Sequence, residues 1–277
     1  MDYGQPVRFG VFITPEATER PLRQAALADD LGFDVIGVQD HPYQRRFYDT
    51  WTLLTAIAMR TKQITVFPDV ANIQLRPPAI LAKSAATLDL LSGGRVQLGL
   101  GAGSASMTAA IKGIGGPGHA AGESVSALEE AIQVIRLMWS GERSASFDGK
   151  FYQLAGVHPG PAPAHPIGIW LGAYKPRMIS LVGRAADGWV PSFGYLQPSD
   201  LDELNERIDD EARNAGRDPL AIRRVLNVGE QTAELLVDLT IEHGMDTYIV
   251  SGEDPEAMRR FATEVAPAVR EGVAKAR

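Results

Sequence analysis

His41 is the titratable residue best placed for chemistry. It stands in Gln39-Asp40-His41-Pro42, directly after a short apolar run at residues 35–38 that reads as a β-strand. An imidazole changes charge near neutrality and can donate or accept a hydrogen bond at a reacting oxygen, so at a strand end it could orient or protonate a substrate. The same ring could do no more than tie its loop down. His119, His158, His165 and His243 are scattered over loops and a late helix end. They lack the HxH or HExxH spacing that lets two imidazoles share a metal, so no catalytic metal is expected. The chain has no cysteine, which removes thiolate nucleophiles, disulfides and zinc–thiolate sites together.

Two glycine-rich or basic segments invite a cofactor reading. Gly99-Leu100-Gly101-Ala102-Gly103 looks like a dinucleotide fingerprint, but GxGxxG spacing would need glycine at Ser104, or at Ser106 counted from Gly101. What remains is side-chain-free backbone, suited either to close approach of a large planar or phosphorylated ligand or to a tight turn with positive φ. Lys175, Arg177 and Arg184 lie at or within a predicted helix start, where free backbone N–H groups and basic side chains suit a phosphate. Surface solvation is the alternative for each, and the one preferred for Arg184.

These residues must be positioned by the elements around them. Residues 7–13 alternate as a strand, and residues 20–31 carry apolar positions at helical spacing up to Gly32. The alternation repeats through strands at 35–38, 64–68, 96–100, 167–171, 189–192, 222–226 and 247–250. Helices are predicted at 50–59, 79–91, 124–139, 176–186, 200–215, 232–243 and 255–268. Eight βα units of this kind predict an α/β fold with a parallel sheet closed into a (β/α)8 TIM barrel; an open doubly wound sheet is the structural rival. Residues 144–154, with Asp148-Gly149 between alternating residues, predict a hairpin with a two-residue turn, a small insertion on the barrel. Leu128, Ile132, Ile135 and Met138 have the spacing of a buried helix face. The acidic run Asp200, Asp202, Glu203, Glu206, Asp209, Asp210, Glu211 reads as a solvated one.

At 277 residues and 45% hydrophobic content, the chain can bury one large core, and residues 1–277 are expected to form a single domain. The 27 Lys and Arg against 34 Asp and Glu leave a net charge of −7, which disfavours nucleic acid and anionic membranes as partners. No window approaches the ~20 apolar residues of a membrane span, and the first residues do not read as a signal peptide, so a cytoplasmic protein with a small-molecule substrate is expected. In a barrel, the active site gathers on the loops after the strands. Those loops are Thr14, the Asp40-His41 segment, Asp69-Val70-Ala71-Asn72, Gly101-Ala102-Gly103-Ser104 and Ala173-Tyr174-Lys175-Pro176-Arg177.

The strings VQDHP at 38–42, KSAATLDLLSGGRVQLGLGAG at 83–103 and LGAYKPRMISLVGRAADGW at 171–189 resemble, in this order, the luciferase-like monooxygenase superfamily. The likeness runs over nearly the whole chain and is closer to the branch using coenzyme F420, a deazaflavin, than to the branch using FMN. It implies a bacterial luciferase-like barrel that transfers a hydride between the deazaflavin and a C=C, C=N or C=O bond. His41 would lie by the ring or substrate with Asp40 beside it. Asp69-Val70 would form a bulge with a non-prolyl cis peptide backing the ring, and Ala71 and Asn72 would touch the ring. Ala102 and Gly103 would meet the ribityl side by their backbone, and Tyr174, Lys175, Pro176, Arg177 and Met178 would bind phosphate. Ser104 and Ala173 complete the cofactor-facing set on those two loops.

The resemblance also implies homodimers. The sugar-phosphate dehydrogenases of the branch carry a tryptophan soon after the matching histidine and a glutamate after the strand-four glycines. Here Arg45, Arg46 and Ser104, Ala105, Ser106 stand there, so glucose 6-phosphate is a poor substrate guess. The short joint at residues 227–231 would leave the site open to water, which suits a deazaflavin better than a flavin peroxide. Three rivals remain: an FMN-dependent monooxygenase, a non-catalytic flavin-binding relative, and a barrel lyase using Lys175 as a Schiff base.

Overall fold

Short runs rich in Val, Ile and Leu, buried on both faces, can only persist where helices cover one side and other strands fill the other. The computed structural model describes residues 1–277 and realises this arrangement. Its strands are β1 (Arg8–Ile13), β2 (Val35–Val38), β3 (Thr65–Pro68), β4 (Ala71–Asn72), β5 (Leu98–Gly101), β6 (Ala145–Asp148), β7 (Gln153–Val157), β8 (Ile169–Leu171), β9 (Gly188–Trp189), β10 (Arg223–Asn227) and β11 (Thr247–Ser251). Its helices are α1 (Arg20–Asp30), α2 (Thr50–Arg60), α3 (Pro78–Ser92), α4 (Thr108–Gly113), α5 (Ala121–Trp139), α6 (Pro176–Ala185), α7 (Leu201–Asn214), α8 (Ala233–Ile241), α9 (Pro255–Arg260) and α10 (Ala266–Ala276).

The main sheet runs β3-β2-β1-β11-β10-β9-β8-β5-β4, parallel throughout. Its two end strands, β3 and β4, are halves of one strand interrupted at Asp69 and Val70. β3 pairs with β2, β4 pairs with β5, and Val66 bridges to Val96, so the sheet returns on itself with eight strand positions. This is the (β/α)8 barrel, and the open-sheet rival falls because the ends of the ladder are one and the same strand. No helix is long and apolar enough to cross a membrane.

The lumen is filled by Val35, Phe67, Trp170, Val190, Val225 and Ile249, with Phe67 and Trp170 packed edge to face at 5.0 Å. Burying a side chain of this size contributes about 1.5–3 kcal/mol. Gly10 is required by that filling, since a Cβ there would sit 2.5 Å from both Ile249 Cδ1 and Val35 Cγ1. A larger cluster, including Leu128, Ile132, Ile135 and Met138, occupies the space between sheet and helices.

Four details depart from the sequence reading. The β6–β7 hairpin turns through residues 149–152 rather than through two residues, because the Glu130 carboxylate accepts from the Lys150, Phe151 and Tyr152 amides at 2.9, 2.8 and 3.1 Å. Such a carboxylate supplies from another helix the anchors that a two-residue turn would supply locally. The loop after β5 carries a short helix, α4. The last helix runs on through a π-helical turn, Phe261–Val265, to Ala276. Asp209 does not lie on a solvated face: its carboxylate meets the fully buried Arg224 at 2.7 Å and accepts from the Tyr3 hydroxyl at 3.0 Å.

Candidate active site

Asp40 and His41 follow β2 at the carboxyl rim. The Asp40 side chain is fully buried, 3.4 Å from the Arg76 guanidinium, and its Oδ2 accepts from the Asn72 amide at 3.3 Å. Burial pushes its pKa up, and the Arg76 charge opposes the rise. Arg76 also pairs with Asp49, whose carboxylate caps α2 through the Thr52 amide. The helix start is thereby tied to the rim. His41 is half-buried and stacks on Tyr43 with ring centroids 5.4 Å apart. Burial holds its pKa below the usual histidine value, with the Asp40 charge opposing. It is therefore a neutral imidazole at pH 7, able to orient a polar group but weak as an acid.

The peptide bond between Asp69 and Val70 is cis. Val70 turns its side chain toward the glycines that the sequence reading left open. A Cβ at Gly101 or Gly172 would stand 3.0 Å from Val70 Cγ2, and one at Gly99 would stand 3.1 Å from Val70 Cγ1 and 2.1 Å from the Pro68 carbonyl oxygen. Gly99 and Gly101 therefore make room for the protein's own bulge. Gly103 is a turn glycine, with φ +82° and no room for a Cβ beside Gln74 Nε2 at 2.8 Å.

Asp69 is the buried carboxyl of the site. Its Oδ1 accepts from Asn227 Nδ2 at 3.4 Å, across the barrel from β3 to the end of β10, and its Oδ2 is buried without a partner. Burial pushes its pKa up to about 7. The residue as a whole retains some exposed surface. Asn227 was missed in the sequence, although its position at the end of a barrel strand was a usable signal. Arg76 had no local signal, since only the fold brings it to Asp40.

On the next loop, Gln74 Nε2 donates to the Ala102 carbonyl at 2.8 Å and to Ser124 Oγ at 3.1 Å. Gln74 Oε1 accepts from the His119 amide at 2.8 Å, which fastens the glycine-rich loop to the rim. Ser104 is exposed and bonds Ser106 at 2.7 Å. Ala173 is buried, and its carbonyl accepts from Trp189 Nε1 at 2.9 Å. Tyr174 packs against Tyr195 at 5.2 Å, and burial pushes its hydroxyl pKa up. Pro176 begins α6 and Lys175 precedes it as the N-cap; both are exposed, and no side chain caps the helix. A phosphate could use the free amides of that first turn. Arg177 is turned away: its guanidinium donates to the Gly122 carbonyl and Ser126 Oγ, both at 2.7 Å. Met178 is buried in the core. Arg184 pairs with Glu129 and Glu211 at the surface. Lys175 does not stand on an inner strand end, as a Schiff-base lysine would require.

Of the seven buried side-chain polar atoms without a hydrogen-bond partner, four belong to this rim: Asp40 Oδ1, Asp69 Oδ2, Asn72 Nδ2 and Asn227 Oδ1. Buried polar atoms are normally bonded. A mixed set of donor and acceptor atoms at one strand-end face fits a planar heterocycle with an amide-like edge.

Comparison with known proteins agrees with this geometry. The model of the family described as luciferase-like monooxygenase matches residues 6–235. The chain is 28% identical over 276 residues to 5,10-methylenetetrahydromethanopterin reductase of Archaeoglobus fulgidus, covering 96% of this chain and 78% of that protein. It is 30% identical to F420-dependent glucose-6-phosphate dehydrogenase of Intrasporangium calvum, over 73% of this chain and 62% of that protein's length. Among solved structures, an F420-dependent secondary alcohol dehydrogenase in complex with an F420-acetone adduct superposes with a TM-score of 0.84 at 20% identity, over 96% of this chain and 99% of the other. A riboflavin lyase with modified FMN superposes at 0.83 with 14% identity, over 96% and 92%. With the family model spanning most of the chain and the barrel closed as described, the chain belongs to the luciferase-like monooxygenase family.

Proposed function

We propose that residues 1–277 form one barrel domain that binds coenzyme F420 and catalyses hydride transfer between it and a small organic substrate with a C=C, C=N or C=O bond. The observation that carries this reading is the cluster of unpartnered buried polar atoms on Asp40, Asp69, Asn72 and Asn227 at the rim. When bound, the deazaflavin supplies the hydride. The protein supplies geometry. Asn72 and Asp40 offer a donor and an acceptor to the ring edge, and Arg76 holds the Asp40 carboxylate in place. Val70, wedged against Gly99, Gly101 and Gly172, gives the ring a rigid apolar backing. Ala102 and Gly103 border the ribityl side, and the start of α6 at Lys175 takes the phosphate. Neutral His41 orients the substrate by a hydrogen bond.

Side-by-side titration with F420 and FMN tests the cofactor. F420 is expected to bind and FMN to bind weakly; tight FMN binding with no response to F420 would replace the reading with an FMN monooxygenase. His41→Ala is expected to lower turnover about 100-fold while changing F420 affinity less than about threefold. Tight F420 binding with no turnover on any ketone, imine or enone would favour a non-catalytic binding protein.

Homodimerisation belongs to the same reading. A groove of about 370 Å³ between α2 and α3, lined by Trp51, Thr55, Ile80, Leu88 and Leu91, supports it. Ile80 and Leu91, both on α3, are 59% and 60% exposed along it.

A further inference from the structure

We propose that Asp69 is the proton donor of this site, giving its carboxyl proton to the substrate heteroatom as the neighbouring carbon receives the hydride. The proposal rests on the hydride-transfer reading above and assigns the proton that His41, held neutral, is poorly suited to give.

Its basis is the way the carboxyl is enclosed. Asp69 follows β3 at the rim, and its side chain reaches across the lumen to Asn227 on β10, so it lies at the centre of the strand-end face. β2 presents only Gly37 to it, and a Cβ there would stand 2.8 Å from Asp69 Oδ2. From β10 comes a neutral amide at 3.4 Å. From the loop after β8 comes Tyr174, whose own ionisation the Asp69 charge disfavours. Phe67 and Val70 flank Asp69 in its own strand. No cation bears on the group: burial and the Asn227 amide are what act on its ionisation, and Arg76 is engaged by Asp40 and Asp49. A carboxyl with one long hydrogen bond, one bare oxygen and no counter-charge favours its protonated form. Its pKa, raised to about 7, leaves the proton available at neutral pH. The residue is partly exposed at the rim while Oδ2 itself is enclosed, so proton delivery requires the carboxyl to turn toward the substrate.

For a C=O or C=N substrate the step balances. The hydride pair forms the new C–H bond, and the π pair of C=X takes the Asp69 proton to form X–H. The substrate gains two electrons, the deazaflavin loses two, and Asp69 is left as carboxylate until solvent returns the proton. In the opposite direction the carboxylate accepts the proton.

The test begins with the cofactor-free protein. Infrared difference spectra over pH should show a protonated-carboxyl stretch that titrates near neutrality in the wild type and is missing in Asp69→Asn. With reduced F420, and whichever of acetone, cyclohex-2-enone and 1-pyrroline is reduced fastest, Asp69→Asn should lower kcat about 100-fold or more. Substrate KM should stay within about threefold, and the loss of activity with rising pH should disappear. Asp69→Glu should recover part of kcat. A variant with near-wild-type kcat, or with the basic limb intact, would overturn the role and leave Asp69 a mere staple to Asn227. If Asp69→Asn does not fold, the wild-type carboxyl midpoint and kinetic basic limb must still coincide; a mismatch overturns the proposal. Wild-type protein that neither binds F420 nor reduces any of the three probes sinks the cofactor reading itself, a result distinct from an active enzyme indifferent to Asp69.

Discussion

A carboxyl that keeps its proton when folded and loses it when unfolded makes stability depend on pH. Asp69 is held at about 7 against an ordinary 3.8. Between those values the unfolded chain releases a proton that the folded chain retains. The contribution is therefore full below about pH 4, declines as pH rises through 7, and is flat beyond. At about 1.4 kcal/mol per pH unit the decline reaches roughly 4 kcal/mol, an upper figure because local relaxation and water entry reduce it. Asp69→Asn, which cannot ionise, is expected to be more stable than the wild type at pH 8, with the gap closing by pH 4, as urea unfolding across pH would show. Equal unfolding curves at pH 8 would mean that the group ionises freely. Asp69 was legible in the sequence as a strand-end residue, but its protonation was not, because that depends on Asn227, Gly37 and Tyr174 arriving from three distant segments.

At the scale of elements, the glycine run at the end of β5 illustrates what periodicity can miss. Its spacing suggested ligand approach or a turn, whereas Gly99 and Gly101 make room for the β3–β4 bulge. Gly99→Ala would set a methyl against the Pro68 carbonyl, which belongs to backbone and cannot swing aside. Destabilisation of about 3 kcal/mol or more is expected, read as a lowered denaturant midpoint or loss of folded protein. Gly101→Ala meets only the end of the Val70 side chain, so its cost should be smaller and partly relieved by Val70→Ala in the same molecule. The β6–β7 hairpin was legible as an element from its alternation, but its turn was not, because the anchor is Glu130 on α5. Glu130→Ala leaves three amides without their acceptor. Hydrogen exchange at Lys150 to Tyr152 should accelerate, and stability should fall by about 1–3 kcal/mol.

For the whole molecule, the exposed Ile80 and Leu91 on α3 set the expected assembly. Placing a charge in such a patch opposes its burial against a second copy. Leu91→Glu combined with Ile80→Glu should yield a monomer by sedimentation at micromolar concentration, with the barrel still folded, while the wild type sediments as a dimer. A wild type that sediments as a monomer would remove the dimer from the reading. Closure of the sheet is also a property at this scale. Eight strand-and-helix units were visible as a count, yet the return of β3 to the β5 segment through Val66 and Val96 joins residues whose pairing no local pattern encodes.

The sequence alone determined the alternation of strands and helices, the buried helix faces and the loops that would carry chemistry, because these follow from side-chain period and from backbone rules that act over a few residues. Only the tertiary structure decided the buried partnership of Asp209 with Arg224, the turning of Arg177 toward α5, the filling of the glycine run by Val70 and the isolation of the Asp69 carboxyl. Each of these depends on desolvation and on neighbours far apart in the chain, quantities that exist only once the barrel has closed.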